Sequence, residues 1–294
     1  MTTDHTTAVE RRYARLVNLY PSRYPRDEIL DTVLQSNDRF TVREAFSLVT
    51  GAFRARTGAD VHRGPAEFLQ SATRLAALAL LVHAAAGDVL RALPLDVPAI
   101  LQSADGIVQY ATAGLLALIL HVTAIVTLTR GAYRVAAAAA VLGLVASILA
   151  ASRFGGPWMQ AGFWAAPLAA LLAGVLACTR RRERSSPLWW LLAVLPAVIL
   201  LPTGSGTVLS PALFIESQAF LVLTVIAIAW SLLDARVPVA VAALGLCNLI
   251  TIMQVVLLNG IVGDAPVAAQ VAVSAAPTLV LLIAATVSRR RSPI

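Results

Sequence analysis

The chain has 294 residues, of which 58% are hydrophobic and 13% charged, with a mean hydropathy of +0.77 and a net charge of +7. A soluble globular domain has close to half its residues apolar and about a quarter charged, so this composition excludes an ordinary soluble fold and predicts a polytopic membrane protein. Every one of the 23 basic residues is arginine, so the pI of 10.4 rests on groups that stay charged at any biological pH.

Charge is unevenly placed. Residues 1–70 hold ten arginines against nine carboxylates, whereas residues 71–294 hold thirteen against seven. A nucleic-acid-binding module shows a basic face and a clear positive excess, so the nearly neutral N-terminal segment implies no nucleic-acid partner. The excess belongs to the connections between apolar segments, where it sets orientation in a bilayer. Cys178 and Cys247 fall at the end of one apolar segment and in the middle of another, which suits neither a disulfide nor a zinc site. Arginines precede the first apolar run, so no secretory signal peptide is expected.

In chain order, Val9, Tyr13, Leu16, Val17 and Tyr20 recur at helical spacing and predict an amphipathic helix over 7–20, ended by Pro21. Pro25 opens a second helix with Asp27 and Glu28 in its first turn and Ile29, Leu30, Val33 and Leu34 as its stripe. Thr41 and Glu44 have capping-box spacing for a third, whose Val42, Ala45, Phe46, Val49 and Phe53 repeat at three and four. A fourth helical stretch starts at Pro65 and runs on towards the first apolar segment without a breaker. The expectation is a small cytoplasmic three-helix domain over 1–64, a transmembrane domain over 65–288 and a basic tail over 289–294.

Apolar segments of about 17 to 25 residues match a hydrocarbon core of about 30 Å. They lie near 72–93, 106–129, 132–152, 157–178, 187–203, 211–233, 237–258 and 265–287, which predicts an all-α bundle of about eight spans. With the N-terminus inside, Arg130, Arg134, Arg180, Arg181, Arg182, Arg184, Arg236, Arg289, Arg290 and Arg291 fall on the cytoplasmic face, and only Arg91 and Arg153 outside. The outer loops carry Asp96, Asp105 and Asp264 instead, as the positive-inside rule requires. The fifth span, with Pro196 and Pro202, is expected to kink, and Pro167 and Pro277 offer kinks in the fourth and eighth. Small residues at every fourth position, Ala139, Gly143 and Ser147 in the third span and Ala166, Ala170 and Gly174 in the fourth, predict a tight hairpin between those two. Leu142-Gly143-Leu144 recurs as Leu244-Gly245-Leu246, an echo that would pair the third span with the seventh.

Polar residues are asymmetric in depth. Asp88, Gln109, Gln160, Glu216, Gln218, Gln254 and Gln270 all fall in the predicted outer half, while the inner half holds His121 and threonines, with His83 and Asn248 near the middle. Such side chains face protein or a water-filled cavity, so Glu216, Gln218, Gln254, Gln270, Asp88 and Gln109 are the candidate ligand-binding set, lining an outward-facing vestibule. Glu216 has two readings: a group that binds a proton, a cation or a cationic head, or a hydrated carboxylate paired with Arg153 or Arg91. For Asp88, three residues before Arg91 on one helix face, a local ion pair is favoured. The two histidines lack neighbours at ligand spacing, so no metal and no cofactor is expected, and a lone histidine in a span reads as an interhelical donor. No catalytic motif is present, which implies no enzyme.

Leu16-Val17-Asn18-Leu19-Tyr20-Pro21-Ser22-Arg23-Tyr24-Pro25, followed by Glu28-Ile29-Leu30, resembles the start of actinobacterial multi-pass membrane proteins with a HAAS or permease-prefix type N-terminal domain. The resemblance covers residues 9–57 and implies a signalling or docking role for the N-terminal helices in the cytoplasm, with a protein partner, and assigns no substrate. This chain lacks the large extracytoplasmic domain of fused permeases and any ATPase motif. The sequence is thus read as a plasma-membrane sensor or regulatory protein with an outward polar pocket, or alternatively as a transporter or permease subunit for a small, cationic or hydrophobic solute.

Overall fold

The computed structural model describes residues 3–22, 24–36, 40–57, 65–92, 104–154, 164–179, 211–231, 234–259 and 265–290. The described residues form ten helices and no strand: α1 (Thr3–Val17), α2 (Arg26–Ser36), α3 (Val42–Thr57), α4 (Pro65–Ala92), α5 (Ala104–Thr129), α6 (Tyr133–Phe154), α7 (Ala165–Ala177), α8 (Pro211–Trp230), α9 (Arg236–Asn259) and α10 (Ala265–Arg290). The chain divides into two compact units, Met1–His62 and Arg63–Pro293.

In the first unit α1 packs against α2 and α3. Its core is Tyr13, Val17, Tyr20, Leu48, Ala52 and Ala55, with Ile29, Leu30, Val33 and Leu34 of α2 packed against it. The expected capping box at Thr41 is half formed. The Glu44 N–H donates to Thr41 Oγ1 at 3.3 Å, but the Glu44 carboxylate accepts from the Tyr13 hydroxyl, which in turn accepts the Thr41 N–H at 3.2 Å. Burial first, and then the Glu44 carboxylate, raise the Tyr13 phenol above its ordinary value of 10.0. The expected stripe of α3 is a correction. Leu48, Ala52 and Ala55 face the core, whereas Val42, Phe46 and Val49 are exposed at 82%, 70% and 42%. Two apolar faces compete on this helix, and packing selects the one with alanines, which admit Tyr13 and Tyr20 closely.

In the second unit α4 is the central helix, packed against α5, α7 and α9. Helices α4 to α7 close a four-helix bundle through α4–α5, α5–α6, α6–α7 and α7–α4 contacts, and α8, α9 and α10 pack on one another beside it. Among the described residues, three helical segments are long and apolar enough to cross a membrane, Ala66–Val89, Val108–Thr129 and Arg236–Gln254; Tyr133–Leu149, Ala165–Ala177, Phe220–Trp230 and Val271–Val287 are shorter apolar helices. The expected fifth span at 187–203 and the arginine cluster at 180–184 lie outside the described residues. Small side chains dominate inside, with Ala117, Ala124, Ala136, Ala140, Ala165, Ala169 and Ala173 buried, while Leu115, Ile119, Leu142, Leu149, Leu171, Val225 and Ile283 point outward. Water would drive those large groups inward; lipid does not, and it leaves close backbone approach as the main source of association.

One end of this layer is fixed by buried arginine. The α5–α6 turn is a Schellman motif: Ala132 N–H donates to Thr127 O at 2.9 Å and Gly131 N–H to Leu128 O at 3.1 Å, with Gly131 at φ 76°. Arg74 of α4 then donates to Leu128 O at 3.0 Å and Thr129 O at 2.7 Å, its guanidinium 5.6 Å above the Tyr133 ring. A cation at the last carbonyls of a helix complements its dipole. Arg236, expected as a cytoplasmic loop charge, is instead 2% exposed: it donates from Nε to Asp234 Oδ1 at 2.7 Å, from Nη2 to Asp234 Oδ2, and from Nη1 to Ser71 Oγ at 3.0 Å. Asp234 also accepts the Arg236 backbone N–H at 3.0 Å and so caps α9. Gln70 donates to Thr179 Oγ1 at 3.3 Å at the same end.

Candidate functional site: a buried carboxylate–imidazole pair

Asp88 on α4 and His121 on α5 lie 2.6 Å apart, Oδ2 to Nδ1, at 0% and 1% exposure. This departs from the reading of His121 as a lone donor in the opposite half of the membrane, while the expected Asp88–Arg91 pair involves a side chain outside the described residues. The reason is the tilt of helical side chains. Each Cα–Cβ bond leans towards its own N-terminus, and α4 and α5 are antiparallel neighbours, so the two side chains lean towards each other and close a gap that residue counting leaves open.

Nδ1 of His121 is fixed by the carboxylate, so its outward atom is Nε2. That atom has no hydrogen-bond partner among the described residues and rests against Gly143 of α6. A Cβ at position 143 would stand 2.8 Å from Nε2 and 2.9 Å from Cδ2, so only glycine leaves room for the ring. The expected packing of α6 on α7 is present, but the glycines do not serve it: Gly143 of the α6 stripe serves α5, and a Cβ on Gly174 of α7 would meet nothing within 4 Å. One turn beyond Gly143, Ser147 is 3% exposed and its Oγ also has no partner among the described residues. Other hydroxyls on these helices bond the carbonyl four residues back: Thr123 to Ile119, Thr127 to Thr123, Thr224 to Phe220, Thr251 to Cys247 and Thr278 to Ser274.

With one proton between them, carboxylate and imidazole carry one negative charge; a second proton, entering at Nε2, makes the pair neutral. The arrangement therefore has an orienting carboxylate, a buried proton acceptor and a hydroxyl on the facing helix. The α6 backbone beside it is regular helix, whose N–H groups are engaged in the helix ladder. No group of three or more His, Cys, Asp or Glu suited to a metal ion occurs among the described residues.

Of the other candidates, Gln254 and Gln109 have described side chains. Gln254 accepts the Trp164 indole N–H at 2.6 Å, tying α9 to the start of α7, and Gln109 is exposed on α5. Asn248 donates to Ser274 at 3.3 Å between α9 and α10. Glu216 and Gln218 on α8 and Gln270 on α10 have side chains outside the described residues, as does Gln160. Arg74 and the Arg236–Asp234 pair went unnoticed in the sequence. Their signal was position: an arginine in the first turns of an apolar helix must find carbonyls or a carboxylate.

No family model, no curated protein and no solved structure matches this chain.

Proposed function

We propose that this protein is a membrane-embedded sensor or regulatory protein whose input is taken at the Asp88–His121 pair and whose N-terminal helical unit docks a cytoplasmic protein partner. The observation that carries the reading is the sealed pair itself, with a bare imidazole nitrogen held against Gly143. A proton or a cationic group arriving there neutralises a buried charge between α4 and α5, and α4 is the helix on which α5, α7 and α9 all pack. A change in the pair is therefore felt across the unit through one helix.

The alternative is a transporter or permease subunit for a small or cationic solute. A transport path needs hydratable lining on both sides of its site. Between the pair and the Arg74 end the bundle is filled by Leu78, Leu81, Ala124, Ile125, Ala136, Ala139 and Ala140, all buried, which favours a local switch over a path. The resemblance of residues 9–57 to permease-prefix domains supports the docking role.

The test is hydrogen exchange of the full chain in lipid nanodiscs, comparing the wild type with Asp88→Asn. Protection is expected to change along α4, α5, α7 and α9 when Asp88→Asn removes the buried charge, and a change confined to the residues beside position 88 would count against the reading. Proton flux through reconstituted vesicles that requires Asp88 would favour the transporter instead.

A further inference from the structure

Beyond that reading, we infer that α3 carries an anionic-membrane docking face, made of the exposed Val42, Phe46 and Val49 and continued by the half-buried Phe53, with the exposed Arg43 and the half-buried Arg54 alongside. The positions 42, 46, 49 and 53 fall at intervals of four, three and four and so form one narrow stripe along the helix. Val42, Phe46 and Val49 are 82%, 70% and 42% exposed, although the opposite face of the same helix supplies Leu48, Ala52 and Ala55 to the core. The unit is thus saturated on one side of α3 and greasy on the other. An apolar stripe of this kind on a small unit marks an interaction surface.

Two features select the lipid surface as its occupant. The first is charge. Arg43 is exposed immediately beside Val42, and Arg54 stands eleven residues on, three full turns, on the same flank. Phenylalanine and valine flanked by arginine is the pattern of a helix lying in the headgroup region of an anionic leaflet. The second is tethering. Only seven residues, 58–64, separate the end of α3 from the start of α4, and α4 contains a membrane-crossing segment that begins at Ala66. A fully extended connection of that length reaches at most about 29 Å, so the stripe is held within reach of the bilayer surface at high effective concentration.

The experiment uses the full chain in vesicles. In a Cys178→Ser background, which removes the exposed thiol and keeps the buried Cys247, Phe46→Cys is labelled with an environment-sensitive fluorophore, and Ser47→Cys serves as the control a quarter turn away. Vesicles of phosphatidylcholine alone are compared with vesicles containing phosphatidylglycerol, each with lipids brominated near the headgroup. The label at 46 is expected to shift blue and be quenched, more strongly with the anionic lipid, while the label at 47 is not; Arg43→Glu is expected to weaken the docking equilibrium about fivefold or more. A label at 46 that is unquenched in both lipids, or quenched no more than the one at 47, overturns the inference. So does protection that rises with protein density at fixed lipid composition, which would assign the stripe to a second copy. Hydrogen exchange of α3 in the unmodified chain, slower in anionic than in neutral nanodiscs, supports the inference without relying on any variant; equal exchange in the two overturns it.

Discussion

The α4–α7 bundle and the α8–α10 group use the same device for different ends. Each places a glycine, in Leu142-Gly143-Leu144 and in Leu244-Gly245-Leu246, beneath a large side chain of the preceding helix. In the first, Gly143 receives the His121 ring; in the second, Gly245 receives the Phe220 ring and the Thr278 hydroxyl, at 2.3 and 2.4 Å from where a Cβ would stand. The echo in sequence thus corresponds to a shared mode of close approach. What differs is the guest. Phenylalanine needs only space, whereas histidine needs a partner for its buried nitrogen, and Asp88 supplies it. One half is packed for persistence and the other holds a group whose charge can change.

The comparison breaks most sharply at Asp88. Asp88→Ala leaves a buried imidazole without its carboxylate and is expected to cost about 3–5 kcal/mol, read as a lowered thermal midpoint in detergent, whereas Asp88→Leu with His121→Leu is expected to recover most of it. A double variant as unstable as the single would show that the pair is not the relevant unit. Next come the two glycines. Gly245→Ala presses on the buried Phe220 ring and the Thr278 hydroxyl and is expected to cost about 1–3 kcal/mol. Gly143→Ala presses on the His121 ring and is expected to cost a similar amount, because the ring yields only by giving up its contact with Asp88. Gly174→Ala, with nothing near its Cβ, is the control and is expected to stay within about 0.5 kcal/mol of wild type.

The smallest effect lies outside the membrane unit. Because the folded state raises the Tyr13 phenol above 10.0, its contribution is complete below that value and is lost as pH rises through the folded value. Tyr13→Phe is expected to flatten the alkaline loss of stability of the first unit, measured by hydrogen exchange of α1 and α3 across that range. An unchanged alkaline profile would place the titrating group elsewhere.

Some of this was legible in the sequence for a simple reason. The turns of α2, the start of α3 and the unbroken run from Pro65 into the first apolar segment depend on residues a few positions apart, and so does the half-formed cap at Thr41. Arg74, Asp88 and His121 are explained by partners on another helix, the Leu128 and Thr129 carbonyls for the first and each other for the last two, and Arg236 by Ser71 of α4 together with its near neighbour Asp234. Val42, Phe46 and Val49 were assigned to a core they do not enter, since a helix with two apolar faces gives no sign of which will be covered.

Hydropathy and local chemistry, then, determined by themselves that this chain is helical, where nearly all of the described helices run and how several of them begin and end, because helix hydrogen bonds and caps close within four or five residues. Only the tertiary structure decided which side chains meet. The rotation and register of one helix against another are set by whole faces packing at once, and a 2.6 Å contact between positions thirty-three residues apart follows from that packing and from nothing local.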